Sequence, residues 1–172
     1  VLALHQADKL FYTTPIKALS NQKYRDFCAR WGKDNVGLLT GDQSINGDAP
    51  VVVMTTEVLR NMLYAESPTL HKLRYVVMDE VHYLSDAFRG AVWEEVILSL
   101  PNTVQLIALS ATIGNTTEFA NWISAVVGPT SVVTTDFRPV PLTANVLVNS
   151  TIYPLLNKSG NDVSRHLHNR VD

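Results

Sequence analysis

In the stretch Tyr75-Val76-Val77-Met78-Asp79-Glu80-Val81-His82, a short apolar run ends in two adjacent carboxylates. Such a run is typical of a buried parallel strand, and open α/β sheets bind ligands at the carboxyl ends of their strands. The pattern predicts nucleoside triphosphate hydrolysis, in which Asp79 holds Mg²⁺ through its waters and Glu80 orients the attacking water. His82 is then expected to face the part of the protein that lies opposite the hydrolysis site. Taken alone, the four-residue motif is explained more simply as two solvated acids, so the other motifs have to decide.

The composition is that of one globular domain with a sizeable core, since 46% of the 172 residues are hydrophobic and 17% are charged. With a net charge of −2, any nucleic-acid binding has to use a local basic surface and backbone amides. Cys28 is the only cysteine, which excludes an internal disulfide and a cysteine-based zinc site. No apolar stretch is long enough to cross a membrane, so we expect a cytoplasmic protein without membrane partners. His166 and His168 have no ligand cluster beside them and are expected to be solvated.

Short β-rich runs alternate with segments of helical period, which predicts an α/β fold with a parallel sheet flanked by helices. The predicted strands are Leu10–Thr13, Val36–Leu39, Val51–Met54, Tyr75–Met78, Val104–Leu109 and Val132–Thr134. The predicted helices run from Pro15 to about Trp31 with Thr14 as N-cap, around Val58–Leu63, over about Phe88–Leu100, and from a capping box at Asn115 and Glu118 to Gly128.

The character of the chain changes after Thr135, where two prolines stiffen an extended segment. We therefore expect residues 1–136 to form a domain and residues 137–172 to be a linker or extension. The chain starts with Val1, and its first residues resemble the last turn of a helix, so we expect it to be a fragment.

Two strand-to-helix junctions are predicted to hold the backbone of a nucleic acid, because free amides and the positive end of a helix dipole bind phosphate. The first junction offers Pro15, Lys17, Asn21 and Gln22, although an ordinary polar helix face explains them equally well. The second junction offers Thr55, Thr56, Glu57 and Arg60, and the loop between the two offers Gly41 and Asp42. A simple turn is an equally good explanation of that loop.

Ser110-Ala111-Thr112 follows the predicted strand Val104–Leu109 and places two hydroxyls at the edge that carries Asp79 and Glu80. Hydroxyls at that point can hydrogen-bond the acidic motif and so couple hydrolysis to nucleic-acid binding. The tripeptide alone is a weak signal, but the order of all these motifs at successive strand ends is a strong one.

In this order the motifs resemble those of a DExH-box helicase of superfamily two. The branch they resemble contains the superkiller-type, exosome-associated RNA helicases and their actinobacterial relatives. The segments that carry the resemblance are Thr14-Pro15-Ile16-Lys17-Ala18-Leu19-Ser20-Asn21-Gln22, Thr55-Thr56-Glu57, Asp79-Glu80-Val81-His82, Ser110-Ala111-Thr112 and Arg138-Pro139-Val140-Pro141-Leu142. The longer string Asp86-Ala87-Phe88-Arg89-Gly90-Ala91-Val92-Trp93-Glu94-Glu95 also resembles that branch.

The resemblance implies a RecA-like domain of the P-loop NTPase type in an ATP-dependent RNA helicase. ATP and Mg²⁺ are the implied cofactors, and RNA and the RNA-degradation machinery are the implied partners. Asp79 and Glu80 match the Mg²⁺ and catalytic-water positions, and His82 matches a residue that links the ATP state to domain closure. Ser110 and Thr112 match the motif that couples hydrolysis to unwinding. The positions that match strand-contacting motifs are Pro15, Lys17, Asn21, Gln22, Thr55, Thr56 and Glu57.

A helicase motor also needs a phosphate-binding loop of the form GxxxxGK[ST], and this sequence contains none. Gly32-Lys33 is the only glycine-lysine pair, but Asp34 stands where a hydroxyl is required and Phe27 stands where the first glycine is required. We therefore expect a partial first RecA-like domain that lacks the P-loop strand. The parent protein should hydrolyse ATP, whereas these residues alone should not.

Two alternatives stay open at this point. A DNA-repair helicase of the same superfamily shares the acidic box and the Ser-Ala-Thr motif, although residues 14–22 look more like the RNA branch. A non-enzymatic nucleic-acid-binding module is the second alternative, and the missing phosphate loop favours it if the chain is naturally this short.

Overall fold

The computed structural model describes residues 8–111, 115–135, 137, 140 and 142–156. The chain forms two compact units, Val1–Val132 and Val133–Asp172. The first unit contains the acidic motif and is built around a sheet. Among the described residues, no helix is long and apolar enough to cross a membrane.

The sheet of the first unit has six strands in the order β3-β2-β4-β1-β5-β6. Their bounds are β1 Lys9–Thr14, β2 Val36–Leu39, β3 Ser44–Ile45, β4 Val51–Thr55, β5 Leu73–Met78 and β6 Gln105–Ala108. All neighbours pair in parallel except β2 and the short strand β3, which are antiparallel. This confirms the predicted α/β fold with a mainly parallel sheet.

Helices cover both faces of this sheet. Their bounds are α1 Lys17–Trp31, α2 Thr56–Tyr64, α3 Gly90–Ser99 and α4 Thr116–Val127, and short 3₁₀ turns cover Lys33–Asn35, Pro68–Leu70 and Val81–Ser85. Phe11 belongs to the core under α2, α3 and α4, whereas its neighbour Tyr12 belongs to the core under α1. Successive side chains of a strand point to opposite faces, and burial of both faces explains why these strands are apolar throughout.

The start of α1 differs from the prediction. Ile16 is its N-cap residue and makes no side-chain capping bond. The predicted cap, Thr14, is fully buried, and its hydroxyl lies 2.7 Å from Ser20 Oγ and donates to the Ile16 carbonyl at 3.0 Å. Because the Thr14 hydroxyl donates to Ile16, Ser20 is the donor of the bond between the two hydroxyls, and Thr14 is the last residue of β1 and caps no amide of α1.

The predicted N-cap of α4 is confirmed, but the reciprocal bond to Glu118 comes from the side-chain amide of Asn115 and not from its backbone amide, as it would in a capping box. Asn115 Oδ1 accepts a hydrogen bond from the Glu118 amide at 3.2 Å, and Asn115 Nδ2 donates to Glu118 Oε2 at 2.7 Å. Gly128 ends the helix with a φ of 110°, a conformation that other residues rarely adopt. The third helix begins at Gly90 instead of Phe88, and the Phe88 side chain is 95% exposed.

The predicted strand Val132–Thr134 is wrong, since these residues form no regular structure and Val133 is 93% exposed. The second unit contains a hairpin that the sequence did not predict. Its strands are β7 Asn145–Val148 and β8 Thr151–Pro154, which pair in antiparallel fashion. Asn149 and Ser150 form the two-residue turn, and both have positive φ, as tight hairpin turns require.

Candidate functional site

Four strands of the first unit end at the same edge of the sheet. Thr14 of β1 pairs with Thr55 of β4, Thr13 pairs with Met78 of β5, and Met78 pairs with Ala108 of β6. The motifs that follow these strands therefore lie side by side. Carboxyl ends of parallel strands are the place where open α/β sheets bind ligands, so this edge is the candidate site.

The Asp79 carboxylate is held at both oxygens. Oδ2 accepts a hydrogen bond from the Tyr12 hydroxyl at 2.6 Å, and Oδ1 accepts one from the Glu80 amide at 3.0 Å. Lys23 Nζ lies 3.8 Å from Oδ2, and the Asp79 side chain is only 16% exposed. Burial, the hydrogen bond to Asp79 and the charges of Asp79 and Glu80 hold the pKa of Tyr12 well above its usual range, so its phenol remains a donor.

Glu80 lies at a strained turn between β5 and the 3₁₀ turn Val81–Ser85. Its φ of 56° and ψ of 42° are left-handed, a conformation that costs a residue with a Cβ atom free energy. The turn directs Glu80 towards His82, whose Nδ1 lies 3.2 Å from Glu80 Oε2 and 3.5 Å from Ser110 Oγ. The Val81 amide also donates to the Leu109 carbonyl at 2.9 Å, which ties the turn to the end of β6.

The structure thus brings together four of the five predicted catalytic residues, namely Asp79, Glu80, His82 and Ser110. The fifth, Thr112, lies outside the described residues. His82 joins the acidic motif to the Ser-Ala-Thr motif. The sequence placed hydroxyls near the acids, but it did not indicate that the imidazole lies between them.

The donor set at Asp79 fits a magnesium ion that is shared with phosphates. The described residues contain no group of three or more His, Cys, Asp or Glu side chains able to hold a metal by themselves. Mg²⁺ commonly takes one or two carboxylates together with waters and substrate phosphates, so a complete protein cage is not needed. Asp79 would hold such an ion, and Glu80 is the adjacent residue that also carries a carboxylate.

The first predicted nucleic-acid segment surrounds the start of α1. Lys17 forms an ion pair with Asp42, and Asp42 also accepts a hydrogen bond from Thr40 Oγ1 at 3.0 Å. The Lys17 ammonium and then the Thr40 hydroxyl lower the pKa of Asp42. Asn21 Nδ2 donates to the Lys17 carbonyl at 3.0 Å, and Gln22 is exposed. Gly41, next to Asp42, is exposed as well.

Several predicted strand-contacting residues are buried. The side chains of Pro15, Thr55 and Thr56 are inside the protein, and Thr56 Oγ1 donates to the Thr14 carbonyl at 3.3 Å. Any contact of Thr55 or Thr56 with a nucleic acid would therefore have to use the backbone, whereas Pro15 has no amide hydrogen to donate. Glu57 is half-buried, and Arg60 pairs with Glu95 at 3.6 Å.

Three residues at this edge were not among the predicted site residues. Tyr12 and Lys23 contact Asp79, and Arg89 Nη1 donates to the Pro15 carbonyl at 3.4 Å. Asp86 holds the loop before Arg89, because its carboxylate accepts hydrogen bonds at 2.9 Å from the amides of Phe88 and Arg89. The string that begins at Asp86 was a signal for Arg89, whereas no motif pointed to Tyr12 or Lys23.

Comparison with known families agrees with the geometry of this edge. Residues 2–119 match the sequence profile of the DEAD/DEAH box helicases, which covers more than half of the chain. This chain belongs to that family. The helicase motifs that the profile spans include both strand-to-helix junctions, the acidic motif and the Ser-Ala-Thr motif.

Curated relatives narrow the branch of this helicase chain. It is 62% identical over 156 residues to the probable helicase HelY of Mycobacterium tuberculosis, across 91% of this chain and 17% of HelY. It is 54% identical over 165 residues to the chloroplastic DExH-box ATP-dependent RNA helicase DExH15 of Arabidopsis thaliana, and the match covers 92% of this chain and 14% of DExH15. It is 48% identical over 159 residues to the antiviral helicase SKI2 of Saccharomyces cerevisiae, and the match covers 92% of this chain and 12% of SKI2. The predicted superkiller-type branch is confirmed, and the chain spans less than a fifth of each relative.

A solved structure shows the same fold. The helicase Lhr of Mycobacterium smegmatis, bound to single-stranded DNA and AMP-PNP, matches this helicase chain with a TM-score of 0.53 and 29% identity. The match covers 68% of this chain and 18% of Lhr. The predicted RecA-like fold is therefore confirmed.

Proposed function

We propose that this chain is part of the first motor domain of an ATP-dependent RNA helicase. The observation that carries the proposal is the grouping of Asp79, Glu80, His82 and Ser110 beside the start of α1 at one edge of the sheet. This arrangement puts acids for phosphate chemistry and amides for a nucleic-acid backbone on the same rigid scaffold. The similarity to HelY, DExH15 and SKI2 supports it.

In this proposal each side chain has a distinct task. Asp79 would hold Mg²⁺, and the ion would supply charge neutralisation at the phosphates of bound ATP. Glu80, the residue after Asp79, would orient the attacking water and accept its proton, as its match to the catalytic-water position implies. His82 lies between Glu80 and Ser110. A movement of the Glu80 side chain would therefore be transmitted through His82 to Ser110, beyond the end of β6. Thr112 is assigned to the same coupling motif by the family resemblance.

The nucleic-acid strand is assigned to the two helix starts. Lys17, Asn21 and Gln22 on α1 and Arg60 on α2 would contact phosphates or sugars with their side chains. The buried residues Thr55 and Thr56 would offer backbone amides, and Pro15, which has no amide hydrogen, would only fix the turn before α1. Glu57, Gly41 and Asp42 complete the predicted surface. A phosphate would compete with Asp42 for the Lys17 ammonium, since the two side chains form an ion pair.

RNA is the proposed substrate, because residues 14–22 look like the RNA branch and DExH15 is described as an RNA helicase. The structure of Lhr with single-stranded DNA supports DNA as the alternative. Action with RNA-degradation machinery and a cytoplasmic location also belong to the proposal, on the strength of the superkiller-type resemblance. The absence of a GxxxxGK[ST] motif leads us to propose that the 172 residues alone do not turn over ATP.

The test uses the full-length protein that contains this chain. We expect ATP turnover that is stimulated by single-stranded RNA, and a loss of at least about 100-fold in the Glu80→Gln variant, since general bases contribute that much or more. Glu94→Gln, an exposed glutamate on α3, is the matched control and should retain the wild-type rate. Stimulation by DNA only would favour the alternative substrate. Mg²⁺-dependent turnover by the isolated 172 residues would contradict the proposal for the fragment.

A further inference from the structure

Tyr12 and Lys23 belong to none of the roles assigned above, yet both reach the Asp79 carboxylate. The Tyr12 hydroxyl donates to Asp79 Oδ2 at 2.6 Å, and Lys23 Nζ lies 3.8 Å from the same oxygen. The ammonium also lies 5.6 Å from the centroid of the Tyr12 ring. One oxygen of the proposed metal ligand therefore has two protein partners of different kinds, a neutral donor and a cation.

Tyr12 is a fixed donor. It lies inside β1, is 7% exposed, and packs edge-on against Phe27 with ring centroids 5.1 Å apart at 87°. A ring held in this way cannot swing its hydroxyl away from Asp79. Since Asp79 Oδ1 is also bound by the Glu80 amide, the carboxylate orientation is set by the protein before any ligand arrives.

Lys23 is an exchangeable partner. Its side chain is 35% exposed, and its distance of 3.8 Å from Asp79 is longer than that of a direct hydrogen bond. Ion pairs with this exposure are weak because water screens them. A divalent cation that approaches Asp79 would meet the positive charge of this ammonium, and like charges repel.

We propose that Tyr12 and Lys23 act on Asp79 in opposite senses. Tyr12 orients the carboxylate for a divalent cation, and Lys23 is a counter-ion that this cation displaces. Both are positioning residues, because they act through Asp79. The inference rests on the proposed function, since it takes Asp79 as the ligand of Mg²⁺.

The test compares Tyr12→Phe and Lys23→Gln in the full-length protein. The Mg²⁺ concentration for half-maximal ATP turnover should rise roughly tenfold in Tyr12→Phe, as is usual when a partner of a metal ligand is lost. In Lys23→Gln it should fall roughly twofold to fivefold, the size expected for a weak ion pair. Lys23→Arg keeps the cation and should stay close to the wild type.

A second readout does not depend on turnover. Binding of Mn²⁺, measured by electron paramagnetic resonance with a non-hydrolysable ATP analogue present, should weaken in Tyr12→Phe and tighten in Lys23→Gln. Affinity for the analogue in EDTA should be unchanged in both, because neither residue is proposed to touch the nucleotide. Tyr64→Phe, at a side chain that is 61% exposed, and Lys33→Gln are the matched controls.

The opposite signs separate this inference from a general loss of structure. Simple damage to the fold would move both variants in the same direction, and that result would overturn the inference, as would two unchanged metal affinities. Tyr12→Phe keeps the aromatic ring, and Lys23→Gln changes a side chain on the surface of a helix, so both variants should fold. The Tyr12 variant then tests the role of Tyr12, and the Lys23 variant tests the role of Lys23. A wild-type protein without ATP turnover would contradict the proposed function, whereas the Mn²⁺ measurement would still decide the roles of Tyr12 and Lys23.

Discussion

At the scale of single residues, the backbone of Glu80 stores strain beside the proposed catalytic group. Its left-handed conformation, with φ of 56°, is stabilised by the surrounding strand end and 3₁₀ turn instead of by local preference. Strain of this kind is tolerated where it aims a side chain, and here the side chain is directed to His82. The free-energy cost of the left-handed backbone at Glu80 is therefore tied to the position of the Glu80 carboxylate beside His82.

The strain can be measured by comparing Glu80→Gly with Glu80→Ala in urea unfolding of this chain. Both variants lose the contact with His82, but only glycine adopts the left-handed conformation without a penalty. We expect the glycine variant to be at least as stable as the alanine variant. At the exposed helical residue Arg25 the same pair should differ the other way, with glycine less stable by about 1 kcal/mol. If the alanine variant were more stable than the glycine variant by the same free energy of unfolding at both positions, Glu80 would carry no such strain.

At the scale of elements, the close contact between β2 and the end of β3 depends on Gly37. A Cβ atom at Gly37 would lie 2.2 Å from the Asn46 carbonyl oxygen, which belongs to the backbone and cannot move independently. We predict that Gly37→Ala lowers the free energy of unfolding by about 1–3 kcal/mol, the usual range for overpacking. Gly41→Ala is the control, because nothing lies within 4 Å of its added atom. Equal urea midpoints for the two variants would mean that β3 moves aside at no cost.

The elements that the sequence predicted well are those whose apolar residues pack on both sides. Strands β1, β4 and β5 have buried residues on successive positions, so their apolar runs were clear. Val132–Thr134 has the same β-branched composition, but composition does not provide packing, and Val133 is exposed. The β7–β8 hairpin has exposed Leu147 and Ile152 and a turn of Asn149 and Ser150, which gives a weak pattern.

The candidate site, too, could be predicted from the sequence only as far as local patterns allow. The sequence placed Asp79, Glu80 and Ser110 at one edge, because strand ends can be located from local patterns. The contact of Tyr12 with Asp79 could not be predicted in this way. It joins residues 67 positions apart and exists because β1 lies beside β5 in the sheet, an order that no local pattern specifies.

At the scale of the whole molecule, charge limits how this chain can hold a nucleic acid. The net charge is −2, so no global positive field draws a polyanion to it. Three basic side chains near the sheet edge already have acidic partners, since Lys17 pairs with Asp42, Lys23 with Asp79 and Arg60 with Glu95. Binding of a phosphate by one of these cations therefore involves sharing with an acidic partner or exchange of that partner.

This exchange leads to a prediction on the salt dependence of single-stranded RNA binding by the full-length protein. If Lys17 leaves Asp42 for a phosphate, Lys17→Gln should reduce the slope of log affinity against log salt by about 0.7, the value for one contact to a single strand. Asp42→Asn should tighten binding at low salt, because Lys17 no longer has a competing partner, and this gain should vanish in the double variant with Lys17→Gln. Lys33→Gln is the control and should leave the slope unchanged. An unchanged slope in Lys17→Gln would place Lys17 outside the interface, and its pairing with Asp42 would then serve only to hold the loop at residues 40–42 against α1.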